Sequence, residues 1–266
     1  MKLIDLIKQI FKYKFFIVNG IRRDVEVKYK RSYLGFLWTI LNPVSQILIY
    51  SIIFSHLMKS KVGGFDGEYG YAIFLCLGII PWTFFSELLL RTTNIFIDNA
   101  HLIKKVSIPK FVFPIICLGS SLFNFFIFYF LFVIFAFIVG LNPATIILNI
   151  FIPLIFLSMM GMSVGLTFAL LNVFIRDIAN VVTIGLQFLF WLTPIVYNLN
   201  ALPENLRGWL YFNPLSICII ASQNALVSGQ SINISNFYYP GLVSLVFFII
   251  SYFLYFRLVE KLADEL

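Results

Sequence analysis

Charge is what this chain has least of. Of its 266 residues, 12% are Asp, Glu, Lys or Arg and 61% are hydrophobic, whereas a soluble domain carries roughly a quarter charged residues. No charge occurs between Lys110 and Arg176, between Asp177 and Glu204, or between Arg207 and Arg257, gaps of 65, 26 and 49 residues. Such gaps cannot fold with a solvated face, which excludes an ordinary water-soluble domain and implies a bilayer. Cysteine is also scarce: Cys76, Cys117 and Cys218 are odd in number and sit in apolar segments, so a disulfide framework and metal spacing are excluded. Motifs for chemistry are missing too. There is no Gly-x-x-x-x-Gly-Lys phosphate loop, no His-Glu-x-x-His helix and no carboxylate pair at helical spacing within a span. Lys2, Asp5, Lys8, Lys12 and Lys14 interrupt the N-terminus, which lacks the apolar core of a signal peptide and is expected to remain on the mature protein.

What is present is hydrocarbon, in lengths that suit a membrane. A span needs about 20 mostly apolar residues, and six segments qualify: Gly35 to Leu57, Tyr71 to Leu90, Phe111 to Val139, Ile146 to Phe174, Ile178 to Tyr197 and Tyr238 to Phe256. Gly140-Leu141-Asn142-Pro143 divides the third from the fourth. Leu215 to Val227 is too short and too polar to cross, carrying Ser216, Ser222, Gln223 and Asn224, and reads as a re-entrant or interfacial hairpin. Leu3 to Tyr13 places Leu3, Leu6, Ile7 and Ile10 opposite Asp5, Lys8 and Lys12, the pattern of an interfacial amphipathic helix. The fold class is therefore an all-α membrane protein of six transmembrane helices. It forms one domain over 1–266: a cytoplasmic interfacial helix and basic stretch to 34, a six-span core over 35–258, and a tail over 259–266. Of the Lys and Arg residues, 16 fall on the side holding both termini and three on the other, so both termini are expected in the cytoplasm. The net charge of +7 reflects this loop bias, and no nucleic-acid partner is inferred.

Ionisable residues inside spans mark relays and ion sites, yet the six segments hold only His56 and Glu87, each near a predicted span end. Uphill transport would need energy from another polypeptide. The loop from Asn94 to Pro109 sets Ile95, Ile97, Leu102, Ile103 and Val106 among Asp98, His101, Lys104 and Lys105, an amphipathic helix that suits a groove on a soluble partner or the membrane surface. Arg22, Arg23, Lys28, Lys30 and Arg31 form a basic stretch that could grip phosphate oxygens or serve as a topological and lipid anchor. Arg176-Asp177 lies in a very short loop, where the acid can favour the start of the next helix. Most of the aromatics, 18% of the chain, face lipid or neighbouring helices, and no channel residue is assigned from them.

In order along the chain stand Arg22-Arg23-Asp24, Lys28-Tyr29-Lys30-Arg31-Ser32, Leu34-Gly35 and Trp38 leading to Pro43. Leu102-Ile103-Lys104-Lys105-Val106 with Pro109 follows, then Asn172-Val173-Phe174 with Arg176-Asp177-Ile178, Phe190-Trp191 with Thr193-Pro194-Ile195, Leu202-Pro203, Asn213-Pro214-Leu215 and Ala263-Asp264. In this series the sequence resembles the membrane subunit of the type-2 ABC exporters for bacterial surface polysaccharides, which move O-antigen, capsule and teichoic-acid chains. The resemblance implies a homodimer with two ATP-binding-cassette ATPase subunits, in the bacterial inner membrane. ATP and Mg would be bound by the partner, with no cofactor in this chain. It assigns head-group contact to Arg22, Arg23, Lys28, Lys30 and Arg31. ATPase coupling falls to Ile97, Leu102, Ile103, Lys104, Lys105, Val106, Arg176 and Asp177, and an outer gate to Trp209, Tyr211, Asn213 and Pro214. One departure stands out: many relatives carry a basic residue near the middle of the segment after Asn-Pro-Leu, where this chain reads Ser222-Gln223-Asn224.

The function expected is that of a non-enzymatic permease exporting an undecaprenyl-pyrophosphate-linked polysaccharide, best matched to O-antigen. A stand-alone six-span flippase would need an internal coupling site. A membrane transferase or phosphatase would need clustered acids, His or Arg at one interface, and the one dense cluster is basic.

Overall fold

In hydrocarbon the backbone must satisfy its own polar groups, so apolar runs of this length fold as helices. The structure, a computed structural model, describes residues 11–29, 33–57, 69–105, 108–199, 203–227, 232–258 and 262–265, and among these there is no strand. Helix α1 spans Lys14–Tyr29, α2 Trp38–Leu57, α3 Gly70–Asp98, α4 Ala100–Lys105, α5 Val112–Ile138 and α6 Pro143–Phe174. They are followed by α7 (Ile178–Trp191), α8 (Glu204–Tyr211), α9 (Pro214–Val227), α10 (Tyr238–Leu258) and α11 (Leu262–Glu265). Among the described residues, four helices are long and apolar enough to cross a membrane: α3, α5, α6 and the run Ile234–Leu258 that contains α10. The interfacial helix expected at Leu3 to Tyr13 lies mostly outside the described residues.

Helix α3 is the axis of the bundle, and its neighbours pack on it from every side. Helix α5 runs antiparallel to it, setting Phe125 against Phe84 and Asn124 against Glu87. Helix α6 runs parallel to it, and glycines one turn apart make this contact close. A Cβ on Gly165 would stand 2.7 Å from Thr92 Cβ, and one on Gly161 2.9 Å from Leu88 Cδ2. Small residues at this spacing are how membrane helices approach closely enough for dispersion to hold them together. Helix α10 follows α6 in the same direction, with Phe237 beside Phe156 and Thr167 Oγ1 donating to the Phe247 carbonyl at 3.3 Å. Helix α2 is antiparallel to α3, its Tyr50 packing near Phe74. Helix α1 climbs alongside α5, from Ile17 against Val112 and Ile116 to Asp24 beside Ser120.

The structure departs from the sequence-based ranges in three places. Helix α3 ends at Asp98 rather than Leu90, because Thr92, Thr93, Ile95 and Phe96 are buried in the chain's own core. The amphipathic helix expected over Asn94 to Pro109 is accordingly divided, its first turn belonging to α3 and only six residues forming α4. The hairpin expected over Leu215 to Val227 is one helix, α9, opened by Asn213, whose Oδ1 accepts from Leu215 N at 3.1 Å. Its first turns are buried against the chain's own helices: Ser216, Cys218 and Ile219 are at most 1% exposed.

The third departure concerns the segment Ile178 to Tyr197, where helix α7 stops at Trp191. Pro194 has no N–H and its ring crowds the carbonyl one turn back, while the residue before it is pushed out of the helical region. Phe190, in the last turn of α7, packs against Trp82, and the chain then continues without helix beside α3, with Ile195 against Gly78 and Val196 against Tyr71. Side chains satisfy the carbonyls this frees. Tyr71 donates to Val196 O at 2.7 Å, Gln223 to Ile195 O at 3.3 Å, Tyr197 to Trp191 O at 3.0 Å and Thr193 to Leu189 O at 2.6 Å. Irregular backbone at membrane depth survives only where protein covers it in this way, and Pro194, Thr193 and Ile195 are all buried. Gly78 is required here, since a Cβ would meet Ile195 O at 3.0 Å and Gln223 Nε2 at 2.9 Å.

Candidate functional site

One end of the bundle gathers the polar chemistry. There α3 turns into α4, α6 turns through 175–177 into α7, and α11 returns with Leu262 fully buried among core residues. Asn172, itself fully buried, joins these pieces. Its Nδ2 donates to Thr93 O and Asn94 Oδ1, each at 3.2 Å, and its Oδ1 accepts from Ala179 N at 3.2 Å. A single amide thus clasps the end of α3, the end of α6 and the start of α7.

Above this clasp lies an ion network that the sequence reading did not assign. Arg91 Nη2 donates to Asp24 Oδ2 at 2.8 Å, and its Nη1 lies 3.5 Å from Glu87 Oε1. Asn124 Nδ2 donates to Glu87 Oε1 at 2.7 Å, and Ser120 Oγ reaches Asp24 Oδ2 at 3.3 Å. The group ties α1, α3 and α5 together and lines a cleft of about 610 Å³, which Arg23, Asp98 and His101 also border. Three carboxylates face two guanidinium groups there, so the cleft is charged but not by itself a phosphate site. Among the described residues, no three His, Cys, Asp or Glu side chains converge to hold a metal ion.

Of the head-group residues, Arg22 and Arg23 have different surroundings. Arg22 is exposed, and its Nε donates to Glu26 Oε1 at 2.7 Å. That bond, reinforced by the Glu26 charge, raises the guanidinium above its ordinary pKa. Arg23 borders the cleft. Lys28 belongs to the last turn of α1, while Lys30 and Arg31 lie outside the described residues. Of the coupling residues, Ile97, Leu102 and Ile103 are half-buried, the last two against the chain's own core. The free face of α4 is polar, with His101, Lys104 and Lys105 exposed, and Val106 lies outside the described residues. Arg176 and Asp177 are both exposed in the turn that Asn172 anchors. Trp209 and Tyr211 are exposed on α8 at the other end. Asn213 and Pro214 are half-buried, and Asn213 Nδ2 donates to Thr193 Oγ1 at 2.9 Å, locking the α8–α9 turn onto the unwound stretch.

The model of the ABC-2 type transporter family matches residues 17–227. The chain belongs to that family. Among relatives of this ABC-2 transporter subunit, the O-antigen export system permease protein RfbA of Klebsiella pneumoniae is 30% identical over 227 residues, covering 83% of this chain and 84% of the relative. The protein of the same name from Myxococcus xanthus is 27% identical over 228 residues, 84% of each chain. The polysialic acid transport protein KpsM of Escherichia coli is 24% identical over 212 residues, 78% of this chain and 79% of the relative. The matched region runs from α1 to α9 and so takes in the ion network, the Asn172 clasp and the unwound stretch. As an ABC-2 membrane subunit the chain is a multi-pass membrane protein and a transport component.

Proposed function

We propose that this chain is the permease subunit of an ATP-driven exporter of undecaprenyl-pyrophosphate-linked polysaccharide, with O-antigen the best match. The observation that carries the reading is its 30% identity, over 83% of its length, to an O-antigen export permease. Capsule or teichoic-acid export is the alternative within the same family, and the polysialic acid relative is what favours keeping it. The working unit is a homodimer of this chain, one domain over 1–266, with two ATPase subunits that bind ATP and Mg. It crosses the inner membrane six times with both termini in the cytoplasm. Helix α2 and the pair made by α7 and its unwound continuation supply the two crossings beyond the four long helices. Helices α8 and α9 form the outer gate, and the stretch from Arg22 to Arg31 meets the lipid-linked pyrophosphate at the inner surface.

Coupling follows from the clasp. Helix α4 and the 175–177 turn are the docking elements, and Asn172 makes them move as one body with α3 and α6. A push on either element is then delivered to the helices that carry Glu87, Arg91 and the unwound stretch. Because Leu102 and Ile103 are engaged in the core, the ATPase is met mainly through His101, Lys104, Lys105, Arg176 and Asp177.

The test is export. In cells lacking this subunit, the wild-type chain expressed with its ATPase should restore surface polysaccharide, and the purified chain alone should hydrolyse no ATP. Lys104→Glu combined with Lys105→Glu should insert normally, lose co-purification with the ATPase and lower surface polysaccharide tenfold or more. Restoration by a chain that never co-purifies with an ATPase would defeat the reading in favour of a stand-alone flippase.

A further inference from the structure

Between α2, α3 and α5 lies a second cavity, of about 130 Å³, to which the functions above give no role. It shares Glu87 and Asn124 with the charged cleft and opens past Trp38 and Asn42, both exposed. Thr39 and Gln46 line it. Thr39 is 5% exposed, and among the described residues neither Thr39 Oγ1 nor Gln46 Oε1 has a hydrogen-bond partner. Buried polar atoms are rarely left in that state, since each costs about 1–3 kcal/mol. Their presence in the wall of an otherwise mainly apolar cavity marks a place where something else supplies the bond.

The lining says what that something is. Gln46 Oε1 is an acceptor and calls for a hydroxyl donor, and Thr39 Oγ1 can accept as well, whereas the Glu87 carboxylate is already engaged by Asn124 and Arg91. No Lys or Arg is among the described residues that line the cavity, so it offers a phosphate no cationic partner. Trp38 and Phe125 form the apolar side, flat faces on which the C–H side of a sugar ring can lie. The volume is below the several hundred Å³ of a drug-sized pocket, and it suits one ring or, at about 30 Å³ each, some four waters.

We propose that this cavity binds one pyranose residue of the transported glycan, with Gln46 and Thr39 hydrogen-bonding its hydroxyls and Trp38 against its apolar face. The inference rests on the polysaccharide-export reading for the identity of the ligand. The cavity adjoins the cleft that α1 borders, so a sugar held in it is close to a pyrophosphate met by the basic stretch.

The experiment uses the full-length chain with its ATPase in lipid nanodiscs. Tryptophan fluorescence is followed during titration with methyl glycosides of glucose, galactose, mannose and N-acetylglucosamine, and separately with inorganic phosphate. At least one glycoside should give a saturable change that Trp38→Phe abolishes, that Gln46→Leu shifts to tenfold higher concentration, and that phosphate does not produce. Melting temperatures of Thr39→Val and Gln46→Leu should be unchanged or higher, because each removes an unpaired buried polar atom. Lower melting temperatures would show that these groups hold the fold and would overturn the proposal. So would a chain that responds to none of the glycosides, or one whose response Gln46→Leu leaves unaltered, and the cavity would then be filled by water alone. Export separates the two readings. A chain that restores surface polysaccharide but binds no glycoside sinks this proposal alone, and one that binds a glycoside yet restores nothing sinks the export reading.

Discussion

Arg91 is the residue on which the ion network turns. Its two nitrogens hold Asp24 of α1 and Glu87 of its own helix, with side chains roughly a quarter to a third exposed. A guanidinium suits this because its planar fork engages two acceptors without reorientation. Removing it leaves two carboxylates, and Asp98 beyond them, facing one another in a partly desolvated cleft. We expect Arg91→Met to lower unfolding free energy by about 2–3 kcal/mol, toward the low end for a broken buried pair because water reaches this one. Asp24→Asn in the same chain should restore part of that loss, and a thermal-unfolding double-mutant cycle in detergent measures it. Arg91→Lys should recover the charge but hold only one partner well, and so fall between. The network was half legible in the sequence. Glu87 and Arg91 stand four residues apart in an apolar run, a helical ion-pair spacing. A span drawn to end at Leu90 put Glu87 at the membrane edge, where a lone acid needs no explanation. The true end at Asp98 places it 11 residues inside α3, about 16 Å from the end. Asp24 could not be found from sequence, because its partner is 67 residues away.

At the scale of elements, close approach is the main cohesive device. Lipid is as apolar as leucine, so helices in a membrane gain little from hiding hydrophobic surface and must gain from contact. Gly161 and Gly165 provide that contact for α3 and α6, and Gly165 faces Thr92, a branched and fully buried side chain with no room to yield. Gly165→Val should force the two helices apart and cost about 3 kcal/mol, in the range of overpacked cores. Gly185→Ala is the control, because nothing lies within 4 Å of its added Cβ, and it should leave the melting temperature unchanged or slightly higher. Equal melting temperatures for Gly165→Val and wild type would mean that the helices are not held by this contact. The helices themselves were readable from apolar length, as was the break at Gly140, whose φ of 93° is one that side chains other than glycine rarely adopt. The unwound stretch was not. Thr193-Pro194 signals a helix end, but an apolar segment of span length hides it. What holds the stretch in place, Tyr71 and Gln223, lies elsewhere in the chain. The burial of α9 was not legible for a related reason. Ser216, Ser222 and Gln223 look like surface residues in a list of letters, yet each is at most 3% exposed. Ser222 bonds within its own helix and Gln223 serves a neighbour's open backbone.

For the whole molecule, direction is the organising constraint. Helices α3, α6 and α10 run one way and α2, α5 and α7 the other. Helix α4, the 175–177 turn and α11 therefore meet at one end, while α8 lies at the opposite one. The proposed docking on an ATPase requires that the first end face the cytoplasm, and the excess of Lys and Arg on the side assigned to it by the six-span reading, 16 against three, agrees with the direction in which loops are retained. Helix α9 decides whether the count of crossings is even. Its 14 residues reach about 21 Å at 1.5 Å per residue, short of the roughly 30 Å hydrocarbon core, so on the six-span reading it enters without crossing. Cysteine labelling can read the outcome with little background, because Cys76, Cys117 and Cys218 are all buried. Trp209→Cys places a thiol on the exposed face of α8, and Glu265→Cys places one on the exposed C-terminal turn. With a thiol reagent that cannot pass the inner membrane, Trp209→Cys should label in intact cells and Glu265→Cys only after permeabilisation. Labelling of Glu265→Cys from outside would make the crossings odd in number and put α11 on the far side. It would also leave α4, which packs against α11, with no access to a cytoplasmic ATPase.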